Sequence, residues 1–147
     1  MHEIQIKMKK LNPKARTPVY ETAGSAGMDI HALLDSPQRL DPGTRAKIPT
    51  GLAFEIPPGF EAQIRPRSGL ALNNGLTVLN APGTIDSDYR GELSIILINL
   101  GDKSEVIEDG NRIAQIIFSP VIKTSFAIVE KLSEAERSNE GFGSTGK

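Results

Sequence analysis

The fold is predicted most clearly by one stretch of the sequence, residues 46–65, which reads AKIPTGLAFEIPPGFEAQIR. It holds two strand-like runs, Leu52–Ile56 and Phe60–Arg65, separated by the turn signal Pro57-Pro58-Gly59. Similar runs recur along the chain, with turns between them, at residues 4–8, 28–34, 93–98, 113–122 and 126–129. Only Ser68–Asn73 reads as a helical turn, with Asn74-Gly75 as its stop. Short strands at this spacing predict an all-β sandwich, barrel or jelly roll with one short helix.

The composition restricts the class of protein. The chain has 147 residues, which predicts one domain, and it has no cysteine, which excludes disulfides and thiolate metal sites. The net charge is −1, so a nucleic-acid partner is not expected. The longest apolar run, Ile95–Ile98, is too short to cross a membrane, and residues 1–7 lack a signal-peptide pattern. We therefore expect a cytoplasmic protein without a membrane contact.

The run Gly83–Leu93 carries the strongest chemical signal. It places Asp86 and Asp88 beside Tyr89 at the end of a predicted strand. A carboxylate held at a strand end can orient a water molecule for attack. The same pattern also fits a polar strand end with turn-forming aspartates.

Two further runs suit phosphate oxygens. The run Arg65–Ala71 combines two arginines with a serine where a helical turn begins, although it also fits a capped helix start with solvated arginines. Arg112 and Gln115 open an otherwise apolar strand, which predicts a polar site or interface unless that strand lies at a sheet edge.

The end of the chain combines residues that suit phosphate binding with a composition typical of a flexible segment. Apolar periodicity is lost after Leu132, which predicts a β-barrel domain over residues 1–132 and a flexible tail over residues 133–147. The segment Gly141–Lys147 almost spells a P-loop, but no strand precedes it and no Ser or Thr follows it. The hydroxyl groups of Ser144 and Thr145 suit phosphates and the Phe142 ring suits base stacking, whereas the alternative is a disordered terminus.

Five runs together resemble the trimeric dUTPase family, in the family's order: Ala23–Asp29, Arg65–Ala71, Gly83–Glu92, Arg112–Gln115 and Arg137–Gly146. The resemblance implies a distorted jelly-roll or β-barrel subunit, assembled as a homotrimer whose three sites lie between subunits. Each site would be closed by the tail of a third chain. The implied activity is that of a dUTP diphosphatase, which hydrolyses dUTP to dUMP and pyrophosphate with Mg²⁺. Such an enzyme supplies dUMP for thymidylate synthesis and keeps uracil out of DNA.

The resemblance also implies roles for residues of the third motif. Asp86 would be the general base that activates the water attacking the α-phosphorus. Tyr89 would pack under the deoxyribose and exclude a 2′-hydroxyl group. Asn80 would read the uracil edge, together with the backbone from Gly83 through Thr84 and Ile85.

Other motifs would hold the triphosphate and the metal. By the resemblance, the phosphates would contact residues of the second, fourth and fifth motifs: Arg67, Ser68, Gly69, Gln115, Arg137, Ser144 and Thr145. Phe142 would stack on uracil beside Gly143, and Asp29 would hold a water molecule on Mg²⁺. The chain departs from the family pattern at Met28 and at Ser138–Glu140, so these positions predict altered packing and an altered bend of the tail.

Two other functions share this fold. A dCTP deaminase would need a carboxylate that shuttles protons at the exocyclic amine, and Glu92 is the candidate. A regulatory protein that only binds nucleotides would not need the base Asp86. If the chain is not a deaminase, Arg90 and Glu92 are interpreted as structural residues.

Overall fold

The computed structural model describes residues 3–146, so Met1 and Lys147, the outer bounds predicted for the barrel and the tail, lie outside the described residues. This part of the chain forms ten strands and one helix. In chain order they are β1 Lys7–Lys10, β2 Met28–His31, β3 Gln38–Leu40, β4 Arg45–Glu55, β5 Phe60–Arg65, α1 Ser68–Asn74, β6 Leu76–Val78, β7 Gly83–Ile85, β8 Glu92–Asn99, β9 Glu105–Ile107 and β10 Arg112–Pro120.

The strands form two antiparallel four-stranded sheets around one core. Their orders are β1-β4-β8-β6 and β2-β10-β5-β7, and β3 pairs with β9 in a small third sheet. Buried aliphatic side chains of both large sheets pack in a single cluster. The predicted all-β jelly roll with one short helix is therefore confirmed.

Strand β8 shows why the sequence folds in this way. Its buried and partly exposed residues alternate, so that Leu93, Ile95 and Leu97 all point into the core. Full burial of each such side chain contributes about 1.5–3 kcal/mol. Truncation of Leu97 to alanine would cost about 2–5 kcal/mol because a cavity would remain.

A bulge in β4 fixes the start of β8, where the third motif ends. The pairing of β4 with β8 shifts register between Pro49 and Ala53. Gly51 lies in this bulge with φ 70°, and a Cβ there would lie 2.9 Å from Cβ of Ala15. The Glu92 carboxylate accepts a hydrogen bond from the Gly51 amide at 2.9 Å. Glu92 therefore anchors the third motif to the core sheet.

The helix matches its prediction and the last predicted strand does not. Helix α1 ends at Gly75, whose φ of 66° is the left-handed conformation expected of a glycine stop. The predicted strand Phe126–Val129 is wrong for this chain, because the strands end at Pro120 and these residues pair with no sheet among the described residues. Its four residues are all apolar, but Phe126 and Ile128 are almost fully exposed. No helix in the described part of the chain has the length and hydropathy needed to span a membrane.

Candidate active site

A cluster of Asp29, Arg67 and Arg112, the arginine cluster, joins the first, second and fourth motifs. Asp29 Oδ1 accepts a hydrogen bond from Arg67 Nε at 2.8 Å, and its Oδ2 accepts one from Arg112 Nη1 at 3.3 Å. The Asp29 side chain is 15% exposed, whereas that of Arg112 is 51% exposed. One mostly buried carboxylate thus orients two guanidinium groups, which leaves net positive charge to face an anion.

Gln115 lies beside this cluster because β10 pairs with β2 and β5. Gln115 stands opposite Asp29 on one side and Arg65 on the other. Its Nε2 donates to the carbonyl of Pro66 at 3.0 Å, which fixes the loop that leads into Arg67. A Cβ on Gly27 would lie 2.8 Å from the Gln115 Oε1, so the glycine leaves room for this amide.

His31 is a member of the site region that the motifs did not indicate. Its Nδ1 is buried and has no hydrogen-bond partner among the described residues. Burial lowers the pKa of His31, the nearby Arg16 lowers it further, and Asp29 opposes both effects. The neutral imidazole is therefore favoured here, which limits the positive charge around Asp29. The only sequence signal was a histidine two residues after the motif aspartate.

The third motif begins with strand β7 at the edge of the second sheet. Strand β7 pairs with β5, so that Gly83 stands opposite Ile64 and Ile85 opposite Ala62. Gly83 is buried, and a Cβ there would lie 3.4 Å from the Asn80 amide nitrogen. Asn80 therefore lies close to the Gly83 backbone, at the start of the segment that the family resemblance expects to read uracil.

Asp86 begins the turn that follows β7. The Asp86 carbonyl accepts a hydrogen bond from the Tyr89 amide at 3.2 Å, and the Tyr89 hydroxyl donates to the Glu92 carbonyl at 3.0 Å. The Asp86 side chain is exposed and forms no ion pair among the described residues. It lines a cavity of about 340 Å³ together with Glu61, Asp88 and Lys123. The carboxylate is thus accessible to water.

The two halves of the site lie at opposite ends of β5. Asp86 directly follows the residue paired with Ala62, whereas Arg67 comes five positions after Ala62. At about 3.3 Å per residue, these ends lie roughly 15 Å apart. Within one chain, the arginine cluster and Asp86 are therefore not brought together.

The predicted tail residues lie apart from both halves. Arg137, Phe142, Gly143, Ser144 and Thr145 are all exposed. Among residues 133–146, the hydrogen bonds stay within the tail, and Arg137 Nε donates to the Glu140 carbonyl at 2.9 Å. The tail therefore forms short turns of its own and leaves its phosphate-binding groups exposed.

Comparison with known proteins identifies the family. The sequence model of the dUTPase family matches residues 13–146. The chain belongs to the dUTPase family. It is 53% identical to the deoxyuridine 5′-triphosphate nucleotidohydrolase of Bdellovibrio bacteriovorus, over 100% of this chain and 99% of that protein. It is 59% identical to that of Brucella melitensis, over 88% of this chain and 83% of that protein.

The solved structures agree with this assignment. The dUTPase of Staphylococcus bacteriophage 80alpha, solved with dUpNHpp, superposes with a TM-score of 0.87 at 29% identity. The match covers 97% of this chain and 99% of the phage chain. As a dUTPase, this chain is a hydrolase of deoxyuridine triphosphate, and both the predicted family and the predicted enzyme class are confirmed.

Proposed function

We propose that this dUTPase hydrolyses dUTP to dUMP and pyrophosphate by attack of water on the α-phosphorus, with Asp86 as the general base. The observation that carries this proposal is the Asp86 carboxylate, exposed at a strand end with no ion pair among the described residues. Such a group can accept a proton from water held next to it, and a positioned base contributes about 10²–10⁴-fold.

The arginine cluster supports the binding of the triphosphate. We assign the phosphates to Arg67, to the exposed Ser68 and Gly69, and to Gln115 beside them. Phosphoryl transfer depends mainly on charge neutralisation and positioning, which a pre-oriented guanidinium group supplies. The fixed Asp29–Arg67 pair keeps that group in place before substrate arrives.

The segment from Asn80 to Ile85 supports recognition of the nucleoside. In this proposal the Asn80 side chain and the backbone of Gly83, Thr84 and Ile85 read uracil. The Tyr89 ring packs under the deoxyribose in this proposal, because its hydroxyl and the amide of the residue are hydrogen-bonded to the backbone and the residue is 46% exposed. A ring fixed in this way leaves no space for a 2′-hydroxyl group.

Mg²⁺ fits this site through water and not through direct protein ligands. No group of three or more His, Asp or Glu side chains in residues 3–146 could ligate an ion. Asp29 has both oxygens on arginines, but a carboxylate has about four acceptor positions and can also hold a water molecule. Mg²⁺ usually keeps several waters and binds substrate phosphates, where it would neutralise their charge. We therefore propose that Asp29 holds a water molecule that is bound to Mg²⁺.

The separation of the two half-sites supports a homotrimer with shared sites. The arginine cluster of one chain and Asp86 of another would then act on one nucleotide. The exposed apolar side chains of Ile122, Phe126, Ile128 and Leu132 provide a surface for contact with a second copy. Sedimentation should give a species of three times the 15.9 kDa chain, and a stable, active monomer would contradict this assembly.

We further propose that residues 133–147 act as a tail distinct from the barrel and close the site of a neighbouring chain. Closure would place Phe142 on uracil with Gly143 at the bend, and Arg137, Ser144 and Thr145 on the outer phosphates. For this, Arg137 must exchange its bond to the Glu140 carbonyl for phosphate oxygens. Tail closure excludes bulk water and completes the site.

The competing functions have less support. Glu92, the candidate proton shuttle of a deaminase, holds the Gly51 amide and so has a structural partner. A protein that only binds nucleotides would not need an accessible Asp86. The physiological role, to supply dUMP for thymidylate synthesis and keep uracil out of DNA, and the cytoplasmic location stay predictions.

Pyrophosphate release from dUTP, dCTP, dTTP and UTP, with Mg²⁺ and then with EDTA, tests the proposal. We expect release from dUTP alone, and its loss or strong reduction in EDTA. Equal release from UTP would contradict the role of Tyr89. Ammonia release from dCTP would favour the deaminase, and binding of dUTP without release would favour the regulatory protein.

A further inference from the structure

Tyr89 rests directly on Gly91. A Cβ built on Gly91 would lie 2.6 Å from Cζ and 3.0 Å from Cε2 of the Tyr89 ring, and nearer still to the hydroxyl oxygen. Carbon atoms in ordinary contact lie about 3.5–4.0 Å apart. The ring therefore occupies the volume that any side chain at position 91 would need.

The backbone conformation of Gly91 does not explain the glycine. Its φ is not among the positive values found at seven other glycines of the described chain. Alanine can adopt this conformation without strain, and Gly91 is exposed, so a methyl group meets no core packing. The close approach of the ring is the remaining requirement for glycine.

We propose that Gly91 is a specificity-determining position that sets how deeply the Tyr89 ring sits in the sugar pocket. This inference rests on the proposed role of Tyr89 against the deoxyribose. The ring is tied at its hydroxyl to the Glu92 carbonyl and at its amide to the Asp86 carbonyl. Gly91 leaves room for the hydroxyl end of the ring next to these hydrogen bonds.

A methyl group at position 91 would displace the Tyr89 ring from its contact with Gly91. To restore an ordinary contact, the ring must move by roughly 1 Å, and its hydroxyl loses the bond to the Glu92 carbonyl. A misplacement of about 1 Å in a substrate-positioning group can change the rate by about 10²-fold. Without this hydrogen bond the ring no longer closes the space beside C2′. We therefore expect kcat/KM for UTP to rise relative to that for dUTP.

The test compares kcat/KM for dUTP and for UTP in Gly91→Ala. We expect the preference for dUTP to fall by about tenfold or more, with KM for dUTP raised more than kcat is lowered. Gly24→Ala is the matched control, since its Cβ would meet nothing within 4 Å and its φ is also ordinary. An unchanged preference in Gly91→Ala would overturn the proposal.

The same substitution in a protein that lacks the Tyr89 ring separates this inference from the proposed function. Tyr89→Ala should lower the preference for dUTP, and adding Gly91→Ala to it should change nothing more, because no ring remains to be displaced. If Tyr89→Ala keeps the preference, the sugar role of Tyr89 is wrong. If Gly91→Ala has an equal effect with and without the ring, its action is not through Tyr89, and the inference fails.

The ring can also be observed without turnover. The chain has no tryptophan and two tyrosines, Tyr20 and Tyr89, so Tyr20→Phe leaves Tyr89 as its one fluorophore of this class. In that background we expect Gly91→Ala to lower the fluorescence anisotropy of Tyr89 and to reduce its response to dUMP. Identical anisotropy and response in both proteins would show that the ring has not moved.

Discussion

Substitution of Asp29 by asparagine should destabilise the protein by about 2 kcal/mol. The Asp29–Arg67 bond is charge-assisted, 2.8 Å long and mostly buried, and such bonds contribute about 1.5–3 kcal/mol. The Arg112 bond adds at most about 0.5 kcal/mol, because it is 3.3 Å long and the arginine is half exposed. Water can reach Arg67 once this bond is lost. The loss of stability is therefore smaller than when a fully buried ion pair is broken.

Calorimetry at one protein concentration measures this loss. A chain of this size loses about 2–4 °C per kcal/mol, so we expect Tm to fall by about 6 °C. Asp41→Asn is the control, because its bonds to Arg39 and Ser104 are exposed, and its loss should lower Tm by much less than Asp29→Asn does. We also expect KM for dUTP to rise roughly tenfold, since Arg67 loses its orientation.

A double-mutant cycle of Asp29→Asn with Arg67→Met isolates the pair. The coupling energy should be about 1.5–2 kcal/mol. A coupling energy near zero, together with an unchanged Tm and KM in Asp29→Asn, would refute the reasoning that Asp29 holds the phosphate-binding arginine.

Three further predictions concern the base, the tail and acid stability. Asp86→Asn should still bind dUMP and dUTP but lose hydrolysis by about 10²–10⁴-fold in a pyrophosphate assay, and near-normal turnover would exclude Asp86 as the base. Deletion of residues 137–147 should abolish turnover while sedimentation still shows the proposed trimer; an active truncated enzyme would contradict tail closure. The Leu34 amide holds the pKa of Asp109 below its ordinary 3.8; burial, the next largest effect, opposes it, and the nearby Arg16 lowers the pKa further. Its contribution to stability is thus fully present above pH 3.8 and is lost as pH falls further, so Asp109→Asn should unfold less steeply with acid in circular dichroism titrations.

The sequence predicted those parts of the site that are local in the chain. The turn from Asp86 to Tyr89 and the helix after Arg67 could be predicted because neighbouring residues determine them. The bond from Arg112 to Asp29 could not, since 83 positions separate the two residues. The sequence indicated only that Arg112 faces something polar.

The incorrect strand at Phe126–Val129 has a related cause. A short run of apolar residues shows that a segment prefers to be buried, but it does not show against which surface. Here the described chain offers no partner strand to this segment. The apolar run is present in the sequence, whereas its pairing depends on the surroundings.

The sequence by itself determined the all-β class, the turns, the single helix and the chemical types of the site residues. These follow from side-chain alternation, from backbone preferences of glycine and proline, and from functional groups. Only the tertiary structure decided that Asp29 binds two arginines, that Asp86 lies at the far end of β5 from Arg67, and that Gly91 supports the Tyr89 ring. Strand register and close packing bring these groups together or keep them apart. The alternation of side chains along a strand, with its period of two residues, specifies neither the register nor the packing.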